Sequence, residues 1–361
     1  MFMISYKLKE MKILFLSLFL IFILWNCENL TGSLDLAQKP VFFIYYIYDN
    51  IGPNSLKMCL ASTDQSKQKI LFSEQGNCGF MKWFNDGYSF LYSTFEWDSD
   101  TVYLKIYNLL DNSLETIWKS STHYIHNASI SPDNRSIVLT LANIGVASPC
   151  ILAIINSDGT GFRNIKDLVA YRPIYASGNQ IFFKSELSLI YSISPDGENL
   201  TRISADSIDA VGYYVIDRQR QQIAFTSWGP GIKLYLTDYA GSETRLIFDS
   251  SQDSLSQLYE AVDDPEFSPD GKKIAFTRLS DFITILNLAD LHFNNYKVSE
   301  RRNVYNPSWT PAGDYIIYCV HEEQMAKIYQ LSLDDRKILK LIEFENFTDP
   351  IFELSPMYWM F

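Results

Sequence analysis

The side chains best suited to chemistry in this 361-residue sequence are few and dispersed. Its four histidines are His123, His126, His292 and His321. Metal or acid–base catalysis needs such residues to converge with carboxylates in one cleft. His123 and His126 share one segment, whereas His292 falls in turn-like sequence and His321 opens the polar run HEEQ, read as a solvated loop. The nucleophile elbow G-x-S-x-G does not occur. Asp-Gly pairs stand at Asp86-Gly87, Asp158-Gly159, Asp196-Gly197 and Asp270-Gly271, but none has the carboxylate spacing of a calcium loop. Turn formation accounts for them, because Asp bonds the backbone ahead and Gly tolerates positive φ. The expectation is therefore no catalytic residue, no metal and no cofactor.

The five cysteines are Cys27, Cys59, Cys78, Cys150 and Cys319, with no C-x-x-C among them. Cys59 and Cys78 leave two readings open, a local disulfide or separate buried thiols. Cys27 is different. It directly follows Ile13–Trp25, thirteen residues with Ser17 as the only polar member, preceded by Lys12. That is the length of a signal-peptide core and short of the ~20 residues needed to cross a bilayer.

The elements that must position any site are strands. Phe267–Arg278, FSPDGKKIAFTR, joins a tight turn to a period-2 strand expected to bury one face. The strand recurs at Lys39–Tyr46, Tyr88–Ser93, Arg135–Thr140, Asn179–Ser185, Gln221–Ser227 and Asp314–Cys319. Anchored on Phe43, Tyr92, Leu139, Phe183, Phe225, Phe276 and Tyr318, the spacings are 49, 47, 44, 42, 51 and 42. The preceding turn recurs as FNDG (Phe84–Gly87), SPDN (Ser131–Asn134), ASGN (Ala176–Asn179), DRQR (Asp217–Arg220), SPDG and TPAG (Thr310–Gly313). A second hairpin follows in each unit. A period in the forties with four strands per unit predicts an all-β fold, a seven-bladed β-propeller of four-stranded antiparallel blades. The first unit lacks an inner strand, and DPIFELSP near the C-terminus resembles the inner-strand segments DPEFSP and NPSWTP. The C-terminal strand is thus expected to pair into blade 1 and close the ring. Residues 1–26 read as a signal peptide, 27–38 as a tether and 39–361 as the propeller.

Net charge is −12, and removing residues 1–26 leaves −14. An acidic body argues against nucleic acid and against docking on anionic lipid through its own surface.

The tandem S-P-D-G-k-k-I-A-F-T units, each followed by a D-G hairpin, resemble the TolB-like (WD40-like) propeller repeat. Phe267–Arg278 fits best, with Ser131–Thr140 and Trp309–Cys319 close behind. The resemblance spans residues 39–361 and implies the fold more firmly than the function, because the repeat residues are structural. TolB carries a further N-terminal α/β domain and works in the periplasm with the peptidoglycan-associated lipoprotein; only about a dozen residues stand between Cys27 and the first blade here. The same repeat also builds propellers of prolyl-oligopeptidase-type peptidases and oligogalacturonate-lyase-like enzymes. The signal segment resembles that of bacterial lipoproteins, which implies lipidation at Cys27, although Trp25 and Asn26 stand where small residues are usual.

What remains is a surface. Residues preceding the inner-strand prolines or their equivalents should ring one end of the channel: His126, Asn127, Tyr171, Arg172, Asp263, Asp264, Tyr305, Asn306 and Asp349. Their mix of aromatics, amides and charges suits a rim that binds protein or peptide, and the same residues would serve equally to cap the blades. The expectation is a monomeric, lipid-anchored envelope scaffold with a protein partner, or alternatively a carbohydrate-binding or lyase-like propeller acting at the channel mouth.

Overall fold

The computed structural model describes residues 41–49, 55–96, 98–145, 149–177, 179–208, 210–227, 231–252, 262–278, 281–299, 304–322, 325–345 and 352–358. The assigned signal and tether, with Cys27, and the rim residue Asp349 lie outside them.

Seven four-stranded antiparallel sheets form the blades. Blade 1 is Phe352–Tyr358, Val41–Asp49, Ser55–Ser62 and Gln68–Gln75. Blade 2 is Asn77–Trp83, Ser89–Glu96, Thr101–Asn108 and Leu114–Ser120. Blade 3 is His123–Ile130, Ser136–Asn143, Ile151–Asn156 and Arg163–Val169. Blade 4 is Tyr171–Tyr175, Ile181–Lys184, Ile190–Ile193 and Thr201–Arg202. Blade 5 is Val211–Asp217, Gln222–Ser227, Lys233–Asp238 and Arg245–Asp249. Blade 6 is Val262–Phe267, Lys273–Arg278, Phe282–Asn287 and Phe293–Lys297. Blade 7 is Val304–Trp309, Tyr315–Glu322, Met325–Ser332 and Ile338–Glu345.

The core is divided among the joints between blades. Among the described residues it forms seven apolar clusters, each filled chiefly by the facing sheets of two neighbours. The last joins Phe43, Tyr45 and Cys59 of blade 1 to Ile317, Cys319 and Ile328 of blade 7, so packing closes the ring as well as pairing does. Burial on both sides corrects one expectation. The second strand of each blade is covered on both faces, so the hydroxyls of Thr140, Thr226 and Thr277 are enclosed although the alternation marks them as outward-facing. All four described cysteines are free, buried thiols; Cys59 and Cys78 do not bond.

The C-terminal strand pairs with blade 1 as expected, with Tyr358 opposite Val41 and Phe352 opposite Tyr45. In blade 7 the equivalent pair is Trp309 and Ile316. Ser355-Pro356 therefore occupies the place of Asn306-Pro307, and the register lies six residues from the one that sets Asp349-Pro350 against Asp264-Pro265. The segment holds two X-Pro pairs, and the sheet uses the second.

The first turn of each unit needs one left-handed residue, supplied by Gly87, Asn134, Asn179, Gly271 and Gly313 with φ between 60° and 74°. In the degenerate DRQR copy the left-handed residue is Gln221, one position beyond it. Asp133 shows why Asp belongs here: its Oδ1 accepts from the Ser131 hydroxyl at 2.6 Å and the Arg135 amide at 3.1 Å. His321 is not in a solvated loop; it lies inside a strand opposite Ala326, half-buried, because the hairpin runs on to Glu322 before turning.

Candidate functional site at the channel mouth

Each inner strand carries a bulge near its start, where the register slips against the second strand. A bulge leaves backbone groups without ladder partners. The residue after each anchor position faces that gap. The Thr226 hydroxyl accepts from the Tyr213 amide at 2.9 Å, and a Cβ on Gly79 would stand 2.6 Å from the Ser93 hydroxyl. The buried threonine of the I-A-F-T motif thus patches the bulge, which is why that polar residue survives in a fully covered strand.

Three bulges hold a residue other than glycine in the left-handed conformation. Arg172, Asp264 and Asn306 each have φ of 50°, and each precedes a proline. A residue before proline is pushed toward extended backbone, so this conformation costs about 1–3 kcal/mol per site and persists only where the surroundings hold it. They do. The Tyr214 hydroxyl donates to the Arg172 carbonyl, and the Asn306 amide donates to Asp264 Oδ2 at 3.3 Å. The bulges set these side chains around a cavity of about 590 Å³ bounded by the inner strands of blades 2 to 7.

The charges divide around that ring. Lys82 of blade 2, His126 of blade 3 and Arg172 of blade 4 form a basic arc, and Asp264 and Glu266 of blade 6 stand across from it. Asn127 and Asn306 bring amides from blades 3 and 7. The Arg172 guanidinium lies 4.0 Å from the centre of the Tyr213 ring. Burial raises the pKa of Asp264, against the Asn306 amide and Arg172, which lower it. Lys184, below Arg172 in the second strand of blade 4, donates to the Gly212 carbonyl at 3.2 Å; burial and then Arg172 lower its pKa.

Of the rim residues read from the sequence, His126, Asn127, Arg172, Asp264 and Asn306 meet at this cavity. Tyr171 is half-buried opposite Lys184 and Tyr305 is 43 % exposed; neither lines it. Asp263 pairs in the strand opposite Thr277. His123 lies outside the lining, its ring nitrogen 2.8 Å from the Thr122 hydroxyl. Sequence reasoning missed Lys82, Tyr213 and Glu266. Counting inward along each inner strand from the bulge would have found them. Among the described residues no group of three His, Cys, Asp or Glu side chains converges as metal ligands would.

No family model and no curated protein matches this sequence. Solved structures do. TolB from Acinetobacter baumannii aligns with 88 % of this chain at a TM-score of 0.53 and 14 % identity. This chain spans 65 % of that TolB's length. The oligogalacturonate lyase from Vibrio parahaemolyticus aligns with 78 % of this chain and 85 % of its own, at 0.63 and 14 %. A putative 6-phosphogluconolactonase from Bacteroides fragilis covers 89 % of this chain and 99 % of its own, at 0.60 and 11 %. This chain has a TolB-like propeller fold. At such identities the likeness extends to fold alone, and the similar structures carry different activities.

Proposed function

We propose that this chain is a non-catalytic envelope lipoprotein whose propeller docks another envelope protein at the channel mouth. One observation carries the reading. Among the described residues, the side chains of His126 and Asn306, the guanidinium of Arg172 and the amide nitrogen of Asn127 reach one cavity from blades 3, 4 and 7 without hydrogen bonding to the protein. Folded proteins satisfy polar groups internally where nothing else will, so groups left open around a cavity mark a place for a ligand. The signal-like segment ending at Cys27 and the TolB-like fold support an envelope location. Val41 begins a second strand and so lies at the turn face, away from the mouth.

The test is a crosslinking pull-down from detergent-solubilised envelopes, with Cys27→Ala, Asn127→Ala and Asn306→Ala forms in parallel. A reproducible partner lost from the folded mouth variants is the expected result. Unchanged capture by those variants would sink the docking role. The lyase-like structural matches and the basic arc favour a second reading, an acidic-oligosaccharide site. Activity on such substrates that disappears in a His126→Ala form would establish it instead.

A further inference from the structure

We propose that the channel mouth is a carboxylate receptor, in which the Arg172 guanidinium clamps a carboxylate of the docked peptide; this rests on the docking role proposed above. The positive charge at blade 4 has no ion-pair partner in contact with it among the described residues. Arg172 lies over the Tyr213 ring and makes no hydrogen bond or ion pair through its guanidinium among the described residues. All five of its N–H donors therefore remain open in a geometry suited to a two-pronged carboxylate.

Lys184 deepens the imbalance. In blades 2, 3, 5 and 6 the position after the anchor holds Ser93, Thr140, Thr226 and Thr277, hydroxyls of the right size to patch a bulge. Blade 4 alone puts a lysine there. Its ammonium is half-buried, reaches only the Gly212 carbonyl, and has no carboxylate within ion-pair distance among the described residues. Two cations stand close together with no carboxylate in ion-pair contact with either among the described residues, Asp264 acting on Arg172 only through space. A buried or half-buried charge is normally paired, so the missing anion belongs to the ligand.

The opposite wall narrows the ligand class. Asp264 and Glu266 line the cavity from blade 6 and give that wall acceptor oxygens and negative charge. A peptide supplies both needs within one or two residues, a carboxylate for Arg172 and backbone N–H groups for the acidic wall. A polyuronate would set a carboxylate on every sugar against Asp264 and Glu266. The carboxylate can come from the chain terminus or from an Asp or Glu side chain.

The test uses the full chain and three N-acetylated pentapeptide libraries: one with a free C-terminal acid, one as the C-terminal amide without Asp or Glu, and one amide with a fixed central Glu. Trigalacturonate is the sugar probe. At least tenfold stronger retention of one or both carboxylate-bearing libraries over the plain amide is expected, falling tenfold or more in Arg172→Gln and remaining in Lys272→Gln. The free-acid and Glu-amide arms tell terminus from side chain. Because Arg172→Gln alters a left-handed site, the native protein is also treated with phenylglyoxal, and the retained peptides should slow modification of Arg172. Equal retention of acid and amide, no retention of any library, or a preference that survives Arg172→Gln would overturn the clamp. So would binding of trigalacturonate alone. A partner whose capture is lost in Asn306→Ala but indifferent to Arg172→Gln and to free-acid peptides would overturn the clamp while leaving the docking role intact.

Discussion

The second hairpin turns of blades 3, 4 and 5 end in glycines that do more than turn the chain. Gly159, Gly197 and Gly241 have φ of 82°, 93° and 73°, and each lies against the outer strand region of the preceding blade. A Cβ would stand 2.8 Å from the Ile117 carbonyl oxygen at Gly159, 2.6 Å from that of Ile165 at Gly197, and 2.2 Å from that of Ile203 at Gly241. Ordinary contact begins at 3.4 Å. The obstruction is backbone on both sides, so no side chain can swing aside, and the joint between blades must open. Gly145 supplies the control: its φ is 77°, yet nothing lies within 4 Å of the added atom.

Alanine at Gly145 should thus cost only the left-handed penalty, about 1–2 kcal/mol. At Gly197 overpacking adds about 1–3 kcal/mol, for a total of roughly 2–5 kcal/mol. At about 2 °C per kcal/mol for a chain of this size, Gly197→Ala should lower Tm by roughly 4–10 °C. Denaturant unfolding followed by circular dichroism gives the order directly. Costs should rise from Gly145→Ala through Gly159→Ala and Gly197→Ala to Gly241→Ala. Equal costs for Gly145→Ala and Gly241→Ala would refute the reasoning, because the close approach would then add nothing to the turn.

Two further outcomes follow from buried and turn-bound polar groups. Thr226→Val keeps the shape of the side chain but leaves the Tyr213 amide unpaired at its bulge, and should cost about 1–3 kcal/mol by denaturant midpoint, whereas Thr226→Ser should be mild. For pH, the Ser131 hydroxyl and the Arg135 amide hold the Asp133 carboxyl below its usual range, and Thr160 does the same for Asp158. Such groups add stability that is present above the unfolded value near 3.9 and is lost as pH falls through the folded value. Tm should accordingly drop on acidification below about pH 4, less steeply in Asp133→Asn. Asp264 works in the opposite sense. Burial raises its pKa, so stability is lost as pH rises from the ordinary aspartate value through the raised one. Asp264→Asn should therefore raise Tm at neutral pH, and an unchanged or lower Tm would count against a charge held at a cost.

The fold was legible because its signal is repeated. Turn residues at a period in the forties recur with enough fidelity that even DRQR, shifted by one residue, does not break the count. What the repeat could not show is that both faces of each second strand are covered. Period-2 alternation marks Thr226 and Thr277 as outward-facing, and only the neighbouring blade makes them interior. The closing register was also beyond the sequence, since Asp349-Pro350 and Ser355-Pro356 carry the same local signal and pairing with Val41–Asp49 selects the second.

The mouth was legible in position and illegible in chemistry. The residue before each inner-strand proline is identifiable by letter, and Arg172, Asp264 and Asn306 share that place and the same φ. Their roles diverge through partners contributed by other strands. Asp264 is engaged by the Asn306 amide of the next blade, while Arg172 has a Tyr213 ring beneath it and Lys184 beside it. Lys184 reads in sequence as one more exposed strand lysine. Only its occupation of the bulge-patching position, where four other blades place a hydroxyl, turns it into a charge without a contacting partner. A site of this kind is defined by interactions the protein does not make, and such absences become visible only when every neighbour is in place.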